Sequence, residues 1–86
     1  MTNFTDSYHL AQTALADLKA AVYAVLAASP SGLTNVQLGR SLGIYGGHVG
    51  HEGHISRTIL ALLESEGVAE QNPDDKTWQL RNHVTQ

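Results

Sequence analysis

Apolar residues recur at steps of three and four through the first third of the chain: Leu10, Ala14, Leu15, Leu18, Val22, Val25 and Leu26. This is the period of a helix with one face turned inward. Asp6 or Ser7 is placed to cap its start. The pattern stops at Ser29, because Pro30 disfavours a helical residue before it and Ser31-Gly32 prolongs the break. A helix of about 22 residues within 6–29 would be about 33 Å long, more than a small domain can cover. Its alanine-rich first half, with Tyr8 and Leu10, therefore either packs on a second copy of the chain or bends and frays. The first five residues carry little pattern and are read as a frayed end.

The next segment, Leu33 to Gly43 (LTNVQLGRSLG), specifies a short helix by local chemistry. Thr34 is its N-cap, Gln37 completes a capping box, and Leu33 and Leu38 occupy the two positions of a hydrophobic staple. Gly43 fits a left-handed stop. Leu38 and Leu42 face inward, and Gly39 lets another helix cross closely. A second helix contains Ile55 and ends at Gly67. At about 100° per residue, Ile55, Ile59, Leu62 and Leu63 gather on the inward side, and His54, Arg57, Ala61 and Glu64 on the outward side, with Ser56 and Thr58 beside them. Val68 to Gln71 and Lys76 to Leu80 read as two strands around the turn Asn72-Pro73-Asp74-Asp75, with Trp78 buried under the hairpin. Arg81 to Gln86 is a polar tail.

The stretch between the two short helices stands apart. Gly46 to Arg57 reads GGHVGHEGHISR, with four glycines, three histidines and one of the chain's five Lys or Arg residues. The 86 residues suit one domain, since no Pro-, Gly- or Ser-rich linker divides them. With 42% apolar and 15% charged residues, the chain belongs with globular proteins and not with disordered ones. It has no cysteine, which excludes disulfides, thiolate metal sites and a cysteine nucleophile. The apolar run Ala20 to Ala28 is too short to span a bilayer, and Asp6 and Asp17 stand where a signal peptide wants basic residues. A cytoplasmic protein is expected. The formal charge of −3 opposes nucleic-acid binding in bulk, so any DNA site must be local.

A helix, the capped LTNVQLGRSLGI, a turn, ISRTILALLESEGVAEQ and then TWQL together resemble a winged helix-turn-helix domain, from about Leu18 to Leu80. The resemblance implies a mainly α fold with a small β-hairpin: a long first helix over 6–29, a helix-turn-helix over 34–66 and a wing over 68–80. It also implies a regulator of transcription that binds double-stranded DNA through the second motif helix, with no enzymatic activity and no cofactor. Two features depart from the family. The turn from Gly43 to Gly53 is longer than the few residues of the simplest members, and the wing tip sets Asp74 and Asp75 against the single Lys76.

Among the residues, Arg57 suits a bidentate contact to guanine or phosphate, Ser56 and Thr58 suit phosphate oxygens, and the glycines let the backbone approach a duplex. His54 lies beside them, with Arg40, Tyr45, His48 and His51 flanking. Protonation of His48, His51 and His54 adds positive charge toward phosphates as the pH falls from about 8 to about 6. The same histidines, with Glu52, are a zinc-compatible set. On a continuous helix, however, they fan over about 120°, so convergence on one ion requires a loop. No catalytic motif is present: His51-Glu52-Gly53-His54 is one residue short of the zinc-protease pair, and GGHVG lacks the Lys and Ser/Thr of a phosphate loop. The alternative to DNA is a protein-interaction module, for which an apolar patch including Leu60 would speak. Two-fold readers of paired sites further suggest a homodimer through the first helix.

Overall fold

The structure, a computed structural model, describes residues 4–46 and 52–81. Three helices, α1 (Phe4–Ala27), α2 (Asn35–Ser41) and α3 (His54–Ser65), precede an antiparallel hairpin of β1 (Ala69–Gln71) and β2 (Trp78–Leu80). The chain is thus mainly helical with a small hairpin, as the periodicities predict.

The first helix begins two residues earlier than its pattern suggests. Asp6 lies inside the first turn, where a carboxylate favours the positive end of the helix dipole, and does not cap it. The helix ends at Ala27, two residues before the predicted stop, and the chain then turns as Ser29 N–H bonds Leu26 O and Gly32 N–H bonds Ser29 O. Its first half is helical and exposed from residue 4 to residue 14. Taken whole, α1 is long and apolar enough to cross a membrane. Yet Val22 and Leu26 lie in the core with Leu38, Leu60, Leu63 and Trp78, so inserting the helix would require that core to open.

Helix α2 follows from its caps. Thr34 Oγ1 accepts the Gln37 N–H at 3.1 Å, and Gln37 Oε1 accepts the Thr34 N–H at 2.9 Å. At its end Gly43 takes φ +71°, which lets Gly43 N–H bond Arg40 O and Ile44 N–H bond Gly39 O. Gly67 ends α3 in the same way, with Gly67 N–H on Glu64 O and Val68 N–H on Leu63 O. Both are the paired bonds of a Schellman stop, which need a left-handed residue and so favour glycine.

The hairpin pairs Ala69 with Leu80, Glu70 with Gln79 and Gln71 with Trp78. Trp78 is 6% exposed, as its position under the hairpin predicts. An additional link joins the sheet to the segment before α2: Leu33 N–H bonds Trp78 O at 2.9 Å, and Trp78 N–H bonds Leu33 O at 2.6 Å. Since Leu33 immediately precedes the cap of α2, this bridge fixes where that helix starts relative to the hairpin. Across the other side, Lys19 of α1 forms an ion pair with Glu66 at the end of α3. It is partly solvated, and such pairs contribute about 0–1 kcal/mol.

The inward face of α3 differs from the predicted one. Ile59 and Leu63 are buried and Leu62 half-buried, as expected, but Ser56 and Leu60 are fully buried and Ile55 is 49% exposed. The buried set Ser56, Ile59, Leu60 and Leu63 follows the steps of three and four that one helical face requires. A small polar residue thus occupies an inward position, and an isoleucine faces out.

Candidate nucleic-acid interface

The crossing of α2 and α3 explains the buried serine. A Cβ on Gly39 would stand 2.9 Å from Ser56 Oγ and 3.0 Å from Tyr45 Cβ, so the two helices touch where their side chains are smallest. Ser56 Oγ donates to Gly53 O at 3.2 Å, which satisfies a hydroxyl that burial would otherwise penalise. Ser56 is therefore a packing residue. Its assignment as a DNA contact is corrected, because its side chain has no exposed surface.

Gly53 begins α3 and is the hub of this junction. Its carbonyl accepts the Asn35 side-chain amide at 3.3 Å and the Arg57 N–H at 2.9 Å in addition to Ser56. Its own N–H bonds Gly46 O at 3.3 Å, which ties together the two ends of the glycine-histidine loop. Gly53 has φ +84°, and a Cβ there would lie 2.6 Å from Asn35 Nδ2 and 2.8 Å from a Tyr45 ring carbon. Conformation and space both demand glycine. Asn35, which no pattern in the sequence singles out, is what fastens α2 to the start of α3.

The surface built on this junction contains most of the predicted contacts. His54, Arg57 and Thr58 are exposed on the first two turns of α3. Arg40 is exposed on α2, with its guanidinium carbon 5.4 Å from the centroid of the Tyr45 ring, and Tyr45 itself is half-buried against the two glycines. His48 and His51 lie outside the described residues, and so does the question of whether they converge with His54. Ile55 joins the exposed face: with His54, Thr58 and Ile59 it lines a shallow hollow of about 230 Å³. Leu60, expected in any apolar surface patch, is wholly in the core and cannot contribute to one.

Charge is distributed unevenly about this face. Of the five cations, Lys19 is committed to Glu66, while Lys76 shares the hairpin tip with Asp74 and Asp75. Among the described residues neither Arg40 nor Arg57 makes an ion pair. Among the described residues the N-cap of α3, Gly53, offers no side-chain cap, in contrast to Thr34 of α2. The positive end of its dipole thus stands beside Arg57, where it favours an anion.

The hairpin tip has the opposite character. Asn72 Oδ1 accepts the Asp74 N–H at 2.7 Å, and Lys76 turns the chain at φ +65°. Asp75 accepts the Thr77 amide N–H at 3.0 Å and its hydroxyl at 2.8 Å. These bonds, the amide first, hold its carboxyl below the ordinary 3.8. A depressed carboxyl pKa contributes stability that is present above the unfolded value, about 3.9, and is lost as the pH falls through the lower folded value. The Thr77 amide proton is accordingly expected to titrate with a midpoint below 3.8, and Asp75→Asn to abolish that titration. A midpoint at or above the ordinary value would mean that the tip is not organised in this way.

Comparison of the chain with known protein families, with curated proteins and with solved structures finds no match.

Proposed function

We propose that the chain is a winged helix-turn-helix module that binds double-stranded DNA by placing the first two turns of α3 in the major groove. The carrying observation is that Arg57 and Arg40, the two arginines of the α2–α3 junction, are exposed and, among the described residues, make no ion pair. The order of elements supports the same reading: a long helix, a segment bridged to the sheet, two crossed helices and a hairpin. In this arrangement Arg57 reads guanine or holds a phosphate, Thr58 and His54 bond the backbone, and Arg40 and Tyr45 grip the flanking strand. Ile55 adds what hydrogen bonds cannot, an apolar contact suited to a thymine methyl. The acidic tip of the hairpin turns away from phosphates. The module acts as a cytoplasmic regulator of transcription and needs no cofactor.

A second reading, a module that docks a protein through α3, rests on the exposed Ile55 and its hollow. Fluorescence anisotropy separates the two. Labelled random duplex at low salt is expected to bind, with a logarithmic salt slope of about −0.9 for each phosphate contact. No binding at low salt would remove the DNA reading and leave the docking one.

A further inference from the structure

The buried stripe of α1 does not end where the domain ends. Phe4, Tyr8, Ala11, Leu15, Leu18, Val22 and Val25 follow one another at alternating steps of four and three, a seam with the 3.5-residue period of paired helices. Its second half is covered by the chain itself: Val22 is fully buried, Leu18 and Val25 pack partly against the core, and Leu15, at the boundary, is only half-buried. Its first half is bare. Phe4 is 74% and Tyr8 63% exposed, on a stretch in which every residue from 4 to 14 faces solvent.

We propose that this seam pairs with the α1 of a second copy, in antiparallel orientation. The direction follows from the covered half. A parallel partner would run its own C-terminal half into the space filled by the first domain, whereas an antiparallel one sends its domain past the opposite end of the helix. In that orientation Phe4 meets the partner's Leu15 and Tyr8 meets the partner's Ala11, so a large residue faces a smaller one in each layer. The overlap is about 18 Å, a little over three turns. Two copies contribute four aromatic rings, each able to bury roughly 150–250 Å², which alone approaches the roughly 1,000 Å² of a specific interface.

The positions beside the seam point to a second copy and not to a foreign helix. Thr5, Ser7, Gln12 and Ala14 flank it, and none carries a charge that would select an opposite partner or repel an identical one. Self-pairing is therefore unopposed. The inference does not depend on DNA binding and is tested without DNA.

Sedimentation equilibrium of the full chain is expected to show a mass rising with concentration from 9.2 kDa toward twice that value. Tyr8→Glu and Ala11→Glu are expected to weaken association at least tenfold, with helical circular dichroism and Trp78 emission unchanged, because both positions are exposed in the single chain. The chain has no cysteine, so orientation can be read by oxidation. The double variant Phe4→Cys, Leu15→Cys is expected to form a covalent dimer, and each single variant is not. A wild-type mass that stays at 9.2 kDa at every concentration overturns the proposal. So does a dimer indifferent to Ala11→Glu, or Phe4→Cys crosslinking alone, the mark of a parallel pair. Co-flotation of a monomeric wild type with phosphatidylcholine–phosphatidylglycerol vesicles would assign the seam to lipid instead.

Discussion

Leu60→Ala is expected to lower the unfolding free energy by about 2–5 kcal/mol, and Ile55→Ala to change it by less than about 0.5 kcal/mol. The contrast arises from the rotation of α3. Leu60 has no exposed surface and contacts a core built from α1, α2 and the hairpin, so truncation leaves a cavity that three elements would have to shift to fill. Ile55, half-exposed one turn earlier, loses little that water does not replace. A domain of this size has roughly 4–13 kcal/mol in total, so the Leu60 variant should populate unfolded chains at modest urea concentrations. Urea midpoints followed by Trp78 fluorescence give both values. If Ile55→Ala proves the costlier change, the helix is turned as its apolar periodicity suggested and Ser56 is not in the core.

That rotation marks the limit of what the chain reveals locally. The caps of α2, the glycine stops after both short helices and the hairpin turn are readable because each is made by residues within a few positions of one another. Thr34 and Gln37 bond each other whatever the rest of the molecule does. The phase of α3 has no such local determinant. Counting apolar residues turns Ile55 inward, but the contact that decides the phase is Gly39 against Ser56, which requires two small residues from different helices. The bridge between Leu33 and Trp78 is equally non-local, and a single paired residue leaves no alternation to detect.

The candidate site divides along the same line. The exposure of Arg57, His54, Thr58 and Arg40 is readable from type and position, because polar side chains on the outer side of a helix stay in solvent in almost any packing. Ser56 resembles them by composition and is separated from them only by packing. Asn35 and Ile55 are missed for the converse reason: one acts through a bond to the Gly53 carbonyl and the other through an exposure that its hydrophobicity conceals.

Arg57→Ala is expected to weaken duplex binding by about 1–3 kcal/mol, roughly 5- to 150-fold, and to relax preference at a single base position. The Arg57 side chain faces solvent and makes no hydrogen bond or ion pair among the described residues, so its removal should leave stability within about 0.5 kcal/mol and any loss belongs to the interface. Arg40 should behave differently. Its guanidinium lies over Tyr45, set back on α2, where it suits a phosphate; Arg40→Ala should weaken all sequences alike and make the salt slope shallower by about 0.9. Ile55→Ala, silent in stability, should lose only the distinction between thymine and cytosine at one position. Anisotropy titrations at several salt concentrations resolve the three patterns. If Arg57→Ala binds as the wild type does and Ile55→Ala discriminates as the wild type does, α3 is not the reading element. Any binding that remained would then have to come from another surface, of which the acidic hairpin tip is the least suited.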